Sequence, residues 1–237
     1  MIFGLVLAGG IGKRMGAEIP KQYLKVGGKA IISYTVEQFA RNTQLEKVIV
    51  LVPEDWIDYT VDLLKEDLGG YMDRIDVTEG GEMRNDTIMN GIAYIEKSYS
   101  IDDETIVVTH DAVRPFVTQK IIDENIEALK KFTACDTVIP ATDTIVESMD
   151  NEFISNIPDR SKLYQGQTPQ SFRAETFRRL YESLSEEDKI ILTDAAKVFV
   201  IKGEKVALVE GASGNIKVTY PSDLELADSL LAGGKNK

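Results

Sequence analysis

The chain has 237 residues, of which 43% are hydrophobic and 28% charged, proportions typical of folded globular proteins and unlike those of disordered chains. Its 27 Lys and Arg against 39 Asp and Glu give a formal net charge of −12, which argues against nucleic-acid binding because the phosphate backbone is repelled. No segment fits a transmembrane helix or a signal peptide, and a single cysteine, Cys135, excludes an internal disulfide. We therefore expect a cytoplasmic protein with no membrane insertion.

Short β-branched runs alternate with amphipathic stretches along the first 140 residues. The predicted strands are Ile2–Ala8, Lys47–Val52, Ile75–Thr78, Thr105–Thr109 and Thr137–Pro140. The predicted helices are Ile31–Arg41, Asp55–Leu68, Asn85–Ser98 and Gln119–Phe132. This alternation predicts parallel βαβ units, whose ligands bind beyond the carboxyl ends of the strands. The loops after Ala8, Thr78 and Thr109 should therefore share one rim of the sheet.

The pattern changes after Pro140. Asp143–Met149 and Phe153–Ile157 predict a β-hairpin with its turn at Asp150–Asn151, and we call residues 141–160 the arm. Further helices are predicted at Ala174–Ser183, Thr193–Val200 and Ser222–Leu231, the last N-capped by Ser222, and further strands at Val206–Val209 and Ile216–Thr219. Because no repeat or linker interrupts the chain, we interpret residues 1–237 as a single α/β domain with a protruding arm.

A glycine-rich loop, LAGGIGKRMG at residues 7–16, follows the first strand. It is not a dinucleotide fingerprint, because Met15 stands where a glycine is needed, and not a P-loop, because Arg14 follows Lys13. Glycines let backbone N–H groups face an anion, and Lys13, Arg14 and Lys21 add three positive charges. Three cations suit a triphosphate, and the alternative is a glycine turn with solvated basic side chains.

A second cluster, THDAVRPF at residues 109–116, lies at the end of a predicted strand. Asp111 and Arg114 should face the same crevice, and a carboxylate beside bound phosphates indicates a divalent cation. The alternative is an Asp–Arg pair that only shapes the loop. His110 has the chemistry of a general base, although a lone histidine at a strand end is more often a hydrogen-bonded packing residue.

Two further segments carry candidate ligand contacts. EGGEMRNDT at residues 79–87 joins a glycine turn to a helix start. Its N–H groups, with Arg84 and Thr87, suit a base edge or a ribose, although the segment is equally consistent with an ordinary capped helix. Lys217 lies within the predicted strand Ile216–Thr219 and requires an anionic partner there, unless the strand is at the surface.

Taken together, LAGGIGKRMG, PKQYL, EGGEMRNDT, THDAVRP, QTPQ, TDAA and GNIKVTYPSDL resemble the cytidylyltransferases that activate phosphorylated polyols, over residues 2 to 231. Through HDAVRPF and YQGQTPQSF the sequence is more similar to the ribitol-5-phosphate branch than to the methylerythritol-4-phosphate branch. The resemblance implies a Rossmann-like, mostly parallel sheet flanked by helices, with an arm that clasps a second subunit in a homodimer. It also implies that CTP and ribitol 5-phosphate give CDP-ribitol and pyrophosphate for teichoic acid or capsule synthesis, with Mg²⁺.

The same resemblance assigns roles to individual residues. The catalytic residues that contact the triphosphate are Arg14, Lys21 and Lys217. The nucleotide-binding residues are Ala8, Gly9, Gly10, Gly12, Lys13, Gly80, Gly81, Arg84, Thr87, Asp111 and Ala112, with Asp111 also at the metal. The acceptor-binding residues are Arg114, Thr144, Arg160 and Thr193, of which Thr144 and Arg160 reach from the arm into the partner's site. Two alternatives remain: the methylerythritol-4-phosphate enzyme of isoprenoid synthesis, and a nucleotide-sensing module without turnover.

Overall fold

The structure, a computed structural model, describes residues 1–10 and 19–234. Its strands in chain order are β1 (Ile2–Leu7), β2 (Lys25–Val26), β3 (Lys29–Ala30), β4 (Lys47–Val52), β5 (Ile75–Glu79), β6 (Ile106–Asp111), β7 (Ala134–Pro140), β8 (Tyr164–Arg173) and β9 (Ala207–Glu210). Its α-helices are α1 (Ile31–Arg41), α2 (Ile57–Leu68), α3 (Arg84–Tyr99), α4 (Gln119–Ala128), α5 (Ala174–Glu182), α6 (Glu186–Ile190), α7 (Ala196–Ile201) and α8 (Pro221–Gly234).

Seven of these strands form one sheet in the order β5-β4-β1-β6-β8-β7-β9. All neighbours are parallel except at β8, which pairs antiparallel with both β6 and β7. The predicted mostly parallel α/β sheet is therefore confirmed. In the register of β1, Leu7 lies opposite Leu51 of β4 and Asp111 of β6, which places the carboxyl ends of these strands at one rim.

Apolar side chains cover both faces of the sheet. One face packs against α1, α2 and α4 through residues such as Phe39, Leu64 and Ile122. The other packs against α3, α5 and α7 through residues such as Ile92 and Phe177. Because both faces are covered, the central strands are apolar without alternation, which is why the strand predictions succeeded for this half of the chain.

Several predicted elements need correction. The segment Ile216–Thr219 is not a strand, because it runs beside a loop and makes one ladder-like bond, from Val218 N–H to Val113 O at 2.9 Å. β7 starts at Ala134, three residues before the prediction, and α7 starts at Ala196 rather than Thr193. The predicted Ser222 cap is also wrong, since α8 begins at Pro221.

The longest strand, β8, had no counterpart in the predictions. Its sequence, YQGQTPQSFR, is rich in glutamine and contains glycine and proline, so it lacks the β-branched pattern on which strand prediction depends. Its backbone pairs with both neighbouring strands. The backbone carbonyl of Gln170 also accepts a hydrogen bond from Thr109 Oγ1 at 2.7 Å. The helix α6 and the β2–β3 hairpin were also not predicted.

The arm connects β7 to β8, so the predicted break at Pro140 is correct. Its strands meet in a single antiparallel bridge, Glu147 to Asn156, and its turn is closed by Asp150, whose Oδ1 accepts N–H bonds from Glu152 and Phe153 at 2.9 Å each. Asn151 has a φ of 63°, a left-handed conformation that asparagine tolerates in turns. The arm is a hairpin with minimal ladder pairing, and its large apolar side chains are exposed: Ile145, Val146, Met149, Phe153, Ile154 and Ile157.

Within the described ranges, no helix combines the length and the apolar character that a bilayer crossing requires.

Candidate functional site

A cavity of about 430 Å³ opens at the rim where β1, β5 and β6 end. The loops after these strands line it together, as predicted from the parallel order. The predicted site residues on its wall are Ala8, Gly9, Gly10, Lys21, Gly81, Arg84, Thr87, Asp111, Ala112 and Lys217. Predicted residues from well-separated parts of the chain therefore lie together in one cavity.

The start of the glycine loop is tied to the turn that carries Lys21. Gln22 Nε2 donates to the carbonyl of Ala8 at 2.7 Å, and Gln22 is buried. Lys21 Nζ donates to the carbonyl of Val218 at 3.0 Å, which places this cation on the same wall as Lys217. Gly12, Lys13 and Arg14 lie outside the described residues, so their predicted roles remain predictions.

The Gly80–Thr87 loop is held by Thr87 and cannot accept a side chain at Gly81. The backbone N–H of Gly81 donates to Thr87 Oγ1 at 3.0 Å. A Cβ added at Gly81 would lie 2.5 Å from Asp86 Cβ and 2.7 Å from Thr87 N, closer than atoms can approach. Gly80 N–H donates to Val52 O at 2.8 Å, which fixes Gly80 at the strand end rather than on the cavity wall.

Asp86 connects this loop to helix α5. One carboxylate oxygen accepts the N–H of Met83 at 3.2 Å, and the other accepts the hydroxyl of Tyr181 at 2.6 Å. Burial and the contact with Asp86 raise the pKa of Tyr181, so its hydroxyl remains a donor at neutral pH. The loop therefore has a fixed shape, which a base-recognition site needs.

Asp111 is the anionic centre of the cavity wall. Lys217 Nζ lies 2.8 Å from its Oδ2, and Arg84 Nε lies 3.4 Å from its Oδ1. Burial acts to raise the pKa of Asp111, but Arg84, Lys217 and Arg114 outweigh it and hold that pKa well below its usual range. The predicted anionic partner of Lys217 is thus Asp111, although Lys217 is not in a strand.

Two nitrogen atoms of the Arg84 guanidinium make no hydrogen bond to the described residues. These atoms, Nη1 and Nη2, are buried. Because a buried guanidinium donor without a partner is costly, this arrangement indicates an anionic or polar ligand.

Arg114 lies behind Asp111 rather than on the cavity wall. Its Nη1 donates to the carbonyl of Asn215 at 2.8 Å, and its Nε lies 3.8 Å from Asp111 Oδ2. The expectation that Asp111 and Arg114 face the same crevice therefore holds for Asp111 alone. Arg114 also fixes the segment that carries Lys217.

His110 is a packing residue, as the sequence argument favoured. It is fully buried, with Nε2 3.1 Å from the carbonyl of Arg114 and Nδ1 2.8 Å from Thr168 Oγ1. Burial, with the nearby Arg114 and Arg84, lowers the pKa of His110 to about 4. Since a carbonyl only accepts, the neutral ring carries its proton on Nε2 and accepts the Thr168 hydroxyl at Nδ1.

The remaining residues predicted to bind the acceptor do not line this cavity. Thr193 lines a neighbouring cavity of about 440 Å³ that shares Met83 and Arg84 with the first. Thr144 is exposed on the arm, and Arg160 Nη1 donates to the carbonyl of Thr142 at 2.7 Å. The structure of one chain therefore does not bring Thr144 and Arg160 to the cavity of that chain.

The side chains on the cavity wall fit a magnesium ion only if a bound phosphate ligand supplies further oxygen atoms. Between residues 1–10 and 19–234, no three His, Cys, Asp or Glu side chains come together in a possible metal site. Mg²⁺ usually takes one or two carboxylates and completes its shell with water and substrate phosphates. Asp111, on the cavity wall, supplies one carboxylate, and a triphosphate would supply further oxygens.

Sequence reasoning missed several residues of this region. Glu82, Met83 and Thr219 line the cavity, and all three belong to motifs that had been singled out. Tyr181 has no sequence signal, because its contact with Asp86 spans 95 positions.

Comparison with known proteins agrees with this geometry. The chain matches the family model for IspD, 2-C-methyl-D-erythritol 4-phosphate cytidylyltransferase, over residues 2–233. It is 48% identical over 232 residues to the proteins named ribitol-5-phosphate cytidylyltransferase of Streptococcus pneumoniae serotype 2 and serotype 4, covering 98% of this chain and 99% of each relative.

Solved structures with the same fold include two from other bacteria. The 4-diphosphocytidyl-2C-methyl-D-erythritol synthase of Anaerococcus prevotii is 27% identical with a TM-score of 0.80, covering 98% of this chain and 96% of that one. The 2-C-methyl-D-erythritol 4-phosphate cytidylyltransferase of Francisella tularensis is 27% identical with a TM-score of 0.78, covering 96% and 98%.

Proposed function

Because the chain belongs to the 2-C-methyl-D-erythritol 4-phosphate cytidylyltransferase family, we propose that it transfers the cytidylyl group of CTP to D-ribitol 5-phosphate, giving CDP-ribitol and pyrophosphate. The observation that carries this proposal is the convergence of Lys21, Arg84, Lys217 and Asp111 on one rim cavity. The whole chain acts as one cytidylyltransferase domain in the cytoplasm, and its product supplies teichoic acid or capsule synthesis.

Ribitol 5-phosphate is favoured as acceptor over methylerythritol 4-phosphate. The relatives named for ribitol 5-phosphate share 48% of their residues with this chain over nearly the full length of both. The solved structures named for methylerythritol share 27%. The higher sequence identity to the proteins named for ribitol 5-phosphate, at similar coverage of both chains, supports the acceptor assignment.

The reaction is an in-line displacement at the α-phosphorus of CTP. An oxygen of the acceptor phosphate forms the new bond as the bond to the pyrophosphate oxygen breaks, and the electron pair of that bond leaves with pyrophosphate. The acceptor phosphate is already ionised at neutral pH, so no side chain has to remove a proton. This agrees with His110, which is neutral and fully occupied by its two hydrogen bonds.

The basic side chains then have two tasks, to hold two polyanions together and to neutralise the charge that develops at phosphorus. Lys21 and Lys217 line the cavity and are proposed to contact the nucleotide phosphates, with Arg14 joining them from the glycine loop. In the structure Lys217 is bound to Asp111. Asp111 therefore holds Lys217 at the rim, and the positive charges of Lys217 and Arg84 together neutralise the Asp111 carboxylate.

Asp111 is also the residue that would hold Mg²⁺ together with the triphosphate. When bound, the ion supplies positive charge that neutralises the phosphates and withdraws electrons from phosphorus. The cations around Asp111 keep it ionised, which is the form that a metal requires.

The Gly80–Thr87 loop is proposed to recognise cytosine. Its backbone groups are fixed by Thr87 and by Asp86, and rigid donors and acceptors distinguish the amino edge of cytosine from the carbonyl edge of uracil. Ala8, Gly9, Gly10 and Ala112, which line the same cavity, form the wall for the ribose and phosphates, with Gly12 and Lys13 proposed to extend it.

The arm is proposed to complete the site of a second subunit in a homodimer. Six large apolar side chains of the arm are exposed in the single chain, among them Met149 and Phe153, and such patches are normally covered by a partner. A two-fold pair of arms would cover them and carry Thr144 and Arg160 toward the partner's acceptor. Thr193 and Arg114 would contribute from the same chain as the nucleotide site.

Pyrophosphate release from CTP with a panel of polyol phosphates tests the function. The proposal expects release with ribitol 5-phosphate and much less with methylerythritol 4-phosphate. A nucleotide-sensing module would bind CTP and release no pyrophosphate with any acceptor, so this assay also separates the enzyme from that alternative.

A further inference from the structure

One short turn, Lys21–Tyr23, joins the cavity wall to the body of the domain. Lys21 and Gln22 both line the cavity, and Tyr23 is buried. Lys21 is proposed to contact the nucleotide phosphates. The roles proposed for the site do not include one for Gln22, although it belongs to the motif PKQYL at residues 20–24 and its side chain is buried.

Tyr23 anchors this turn to the start of helix α2. Its hydroxyl lies 2.7 Å from Thr60 Oγ1, and Thr60 Oγ1 donates to the carbonyl of Trp56 at 2.7 Å. Because the Thr60 hydroxyl has a single proton, Tyr23 is the donor in the first of these bonds. The Tyr23 ring also stacks on Trp56, with ring centroids 4.8 Å apart. The position of the turn is therefore fixed independently of Gln22.

Gln22 connects the anchored turn to the end of strand β1. Its Nε2 donates to the carbonyl of Ala8 at 2.7 Å, and the Ala8 N–H donates to Leu51 O at 2.8 Å. Because a carbonyl only accepts, this contact fixes which end of the Gln22 amide faces Ala8. The Ala8–Gly9 peptide is trans, so its C=O and N–H point in opposite directions. The bond from Gln22 therefore also sets the direction of the Gly9 N–H.

Gly9 lies against the Gly80–Thr87 loop. A Cβ added at Gly9 would lie 3.6 Å from Thr87 Oγ1 and 3.8 Å from Gly81 O, so the glycine loop and the loop proposed to recognise cytosine are neighbours here. Because glycine has wide backbone freedom, the Ala8–Gly9 peptide can rotate unless another group holds it. The amide of Gln22 supplies that restraint.

We propose that Gln22 is a positioning residue that holds the Ala8–Gly9 peptide in the orientation that the nucleotide requires. The inference rests on the proposed function, since it assumes that CTP lies between the glycine loop and the Gly80–Thr87 loop. Gln22 acts through Ala8 and Gly9 and contacts no reacting atom. Its loss should therefore weaken nucleotide binding and the choice of base, and leave the KM for the acceptor unchanged.

The test compares Gln22→Met with the unaltered protein in calorimetric titrations with CTP and with UTP. Methionine is unbranched and of similar length but cannot donate a hydrogen bond to Ala8. We expect the Kd for CTP to rise about tenfold, the size that the loss of one hydrogen bond reaches. The ratio of the Kd for UTP to the Kd for CTP should fall severalfold. A merely structural role would reduce the amount of folded protein and leave both Kd values unchanged.

Gln119→Met is the matched control. Gln119 Nε2 also donates to a backbone carbonyl, that of Gln38, at 2.7 Å, but Gln119 is not among the described residues on the cavity wall. Both variants lose a bond of the same kind, so Tm should fall by similar amounts, whereas only Gln22→Met should change the Kd for CTP. An unchanged Kd in Gln22→Met, or a raised Kd in both variants, would overturn the proposal.

Amide proton exchange in the unaltered protein with bound CTP, measured by NMR, does not depend on the folding of any variant. The Nε2 proton of Gln22 that faces Ala8 should exchange much more slowly than the side-chain amide protons of Gln165, which is exposed on β8. Equally fast exchange would mean that the bond does not persist in the complex, and the proposal would be wrong. If the unaltered protein binds no CTP at all, the proposed function fails and this inference with it, a result distinct from equal Kd values in the two proteins.

Discussion

Lys217 Nζ lies 2.8 Å from Asp111 Oδ2, although 106 positions separate the two residues in the chain. The pair joins the end of the central strand β6 to the segment that precedes α8. It fixes a cation at the rim, so the proposed contact of Lys217 with a phosphate needs no large rearrangement. Preorganised charge of this kind is the main means by which enzymes stabilise phosphoryl-type transition states.

Replacement of Lys217 by Met should therefore lower kcat/KM by about 10²–10³, the usual loss when one preorganised contact to developing charge is removed. Lys29→Met is the control, because Lys29 is also in an ion pair, 2.6 Å from Glu37, but lies outside the cavity wall. It should change kcat/KM by less than twofold. A loss below tenfold for Lys217→Met would show that this lysine does not act on the phosphates.

Tyr181→Phe should weaken CTP binding and base selection while preserving the fold. The change removes only the hydroxyl that donates to Asp86 at 2.6 Å and keeps the stacking of the ring on Phe177. A hydrogen bond to a charged group is worth about 1.5–3 kcal/mol, so we expect the KM for CTP to rise roughly tenfold and the preference for CTP over UTP to fall.

Tyr99→Phe is the matched control for Tyr181→Phe, because Tyr99 also donates to an aspartate, Asp76, away from the cavity. It should leave both nucleotide parameters unchanged. If the two variants behave alike, the effect of Tyr181 arises from general stability and the loop is not positioned by Asp86.

The sequence predicted the structure best where local residue patterns determine it. Helix α1 was predicted with its observed bounds, since its apolar face recurs at helical spacing. The parallel order, which follows from the alternation of strands and helices, then located the rim. The glycine loop was singled out because it combines glycines with basic residues, and Lys217 because a lysine in a predicted apolar strand requires an anionic partner.

Other features depend on tertiary contacts that no local pattern encodes. β8 is stabilised by pairing on both sides rather than by β-branched residues, and its Gln170 also bonds to the N–H of Ala195. The position of Arg114 behind Asp111 depends on the carbonyl of Asn215, 101 positions away.

The burial of His110 predicts how the stability of the folded chain changes with pH. Burial lowers its pKa to about 4 in the folded chain, against about 6.5 when unfolded. Between these values the unfolded chain binds a proton that the folded chain does not, so this residue makes the protein less stable as pH falls from about 6.5 to 4. The loss is at most about 3–4 kcal/mol, at 1.36 kcal/mol per pKa unit.

Proton NMR measures this directly, because His110 is the only histidine of the chain. Its ring resonances in the folded protein should not titrate between about pH 5.5 and 7.5, where a solvent-exposed histidine does. The pH profile of kcat/KM should likewise show no contribution from His110 there. A midpoint near 6.5 would contradict both its burial and its exclusion as a base.

The arm predicts a dimer with shared sites. Sedimentation should give a dimer for the intact protein and a monomer after deletion of Asp143–Ile157, which removes the exposed apolar residues. The monomer should bind CTP and lose acceptor turnover. Mixing subunits that carry Arg160→Ala with subunits that carry Lys217→Met should restore part of the activity, because one hybrid site is intact. A fully active monomer at micromolar concentration would refute the shared site.

The most direct test of the central claim is a competition assay in which CTP is incubated with equal concentrations of ribitol 5-phosphate and methylerythritol 4-phosphate, and the nucleotide products are identified by mass spectrometry. The account predicts that CDP-ribitol accumulates together with an equal amount of pyrophosphate, with little of the methylerythritol product. Accumulation of CDP-methylerythritol in excess, or hydrolysis of CTP without either product, would contradict it.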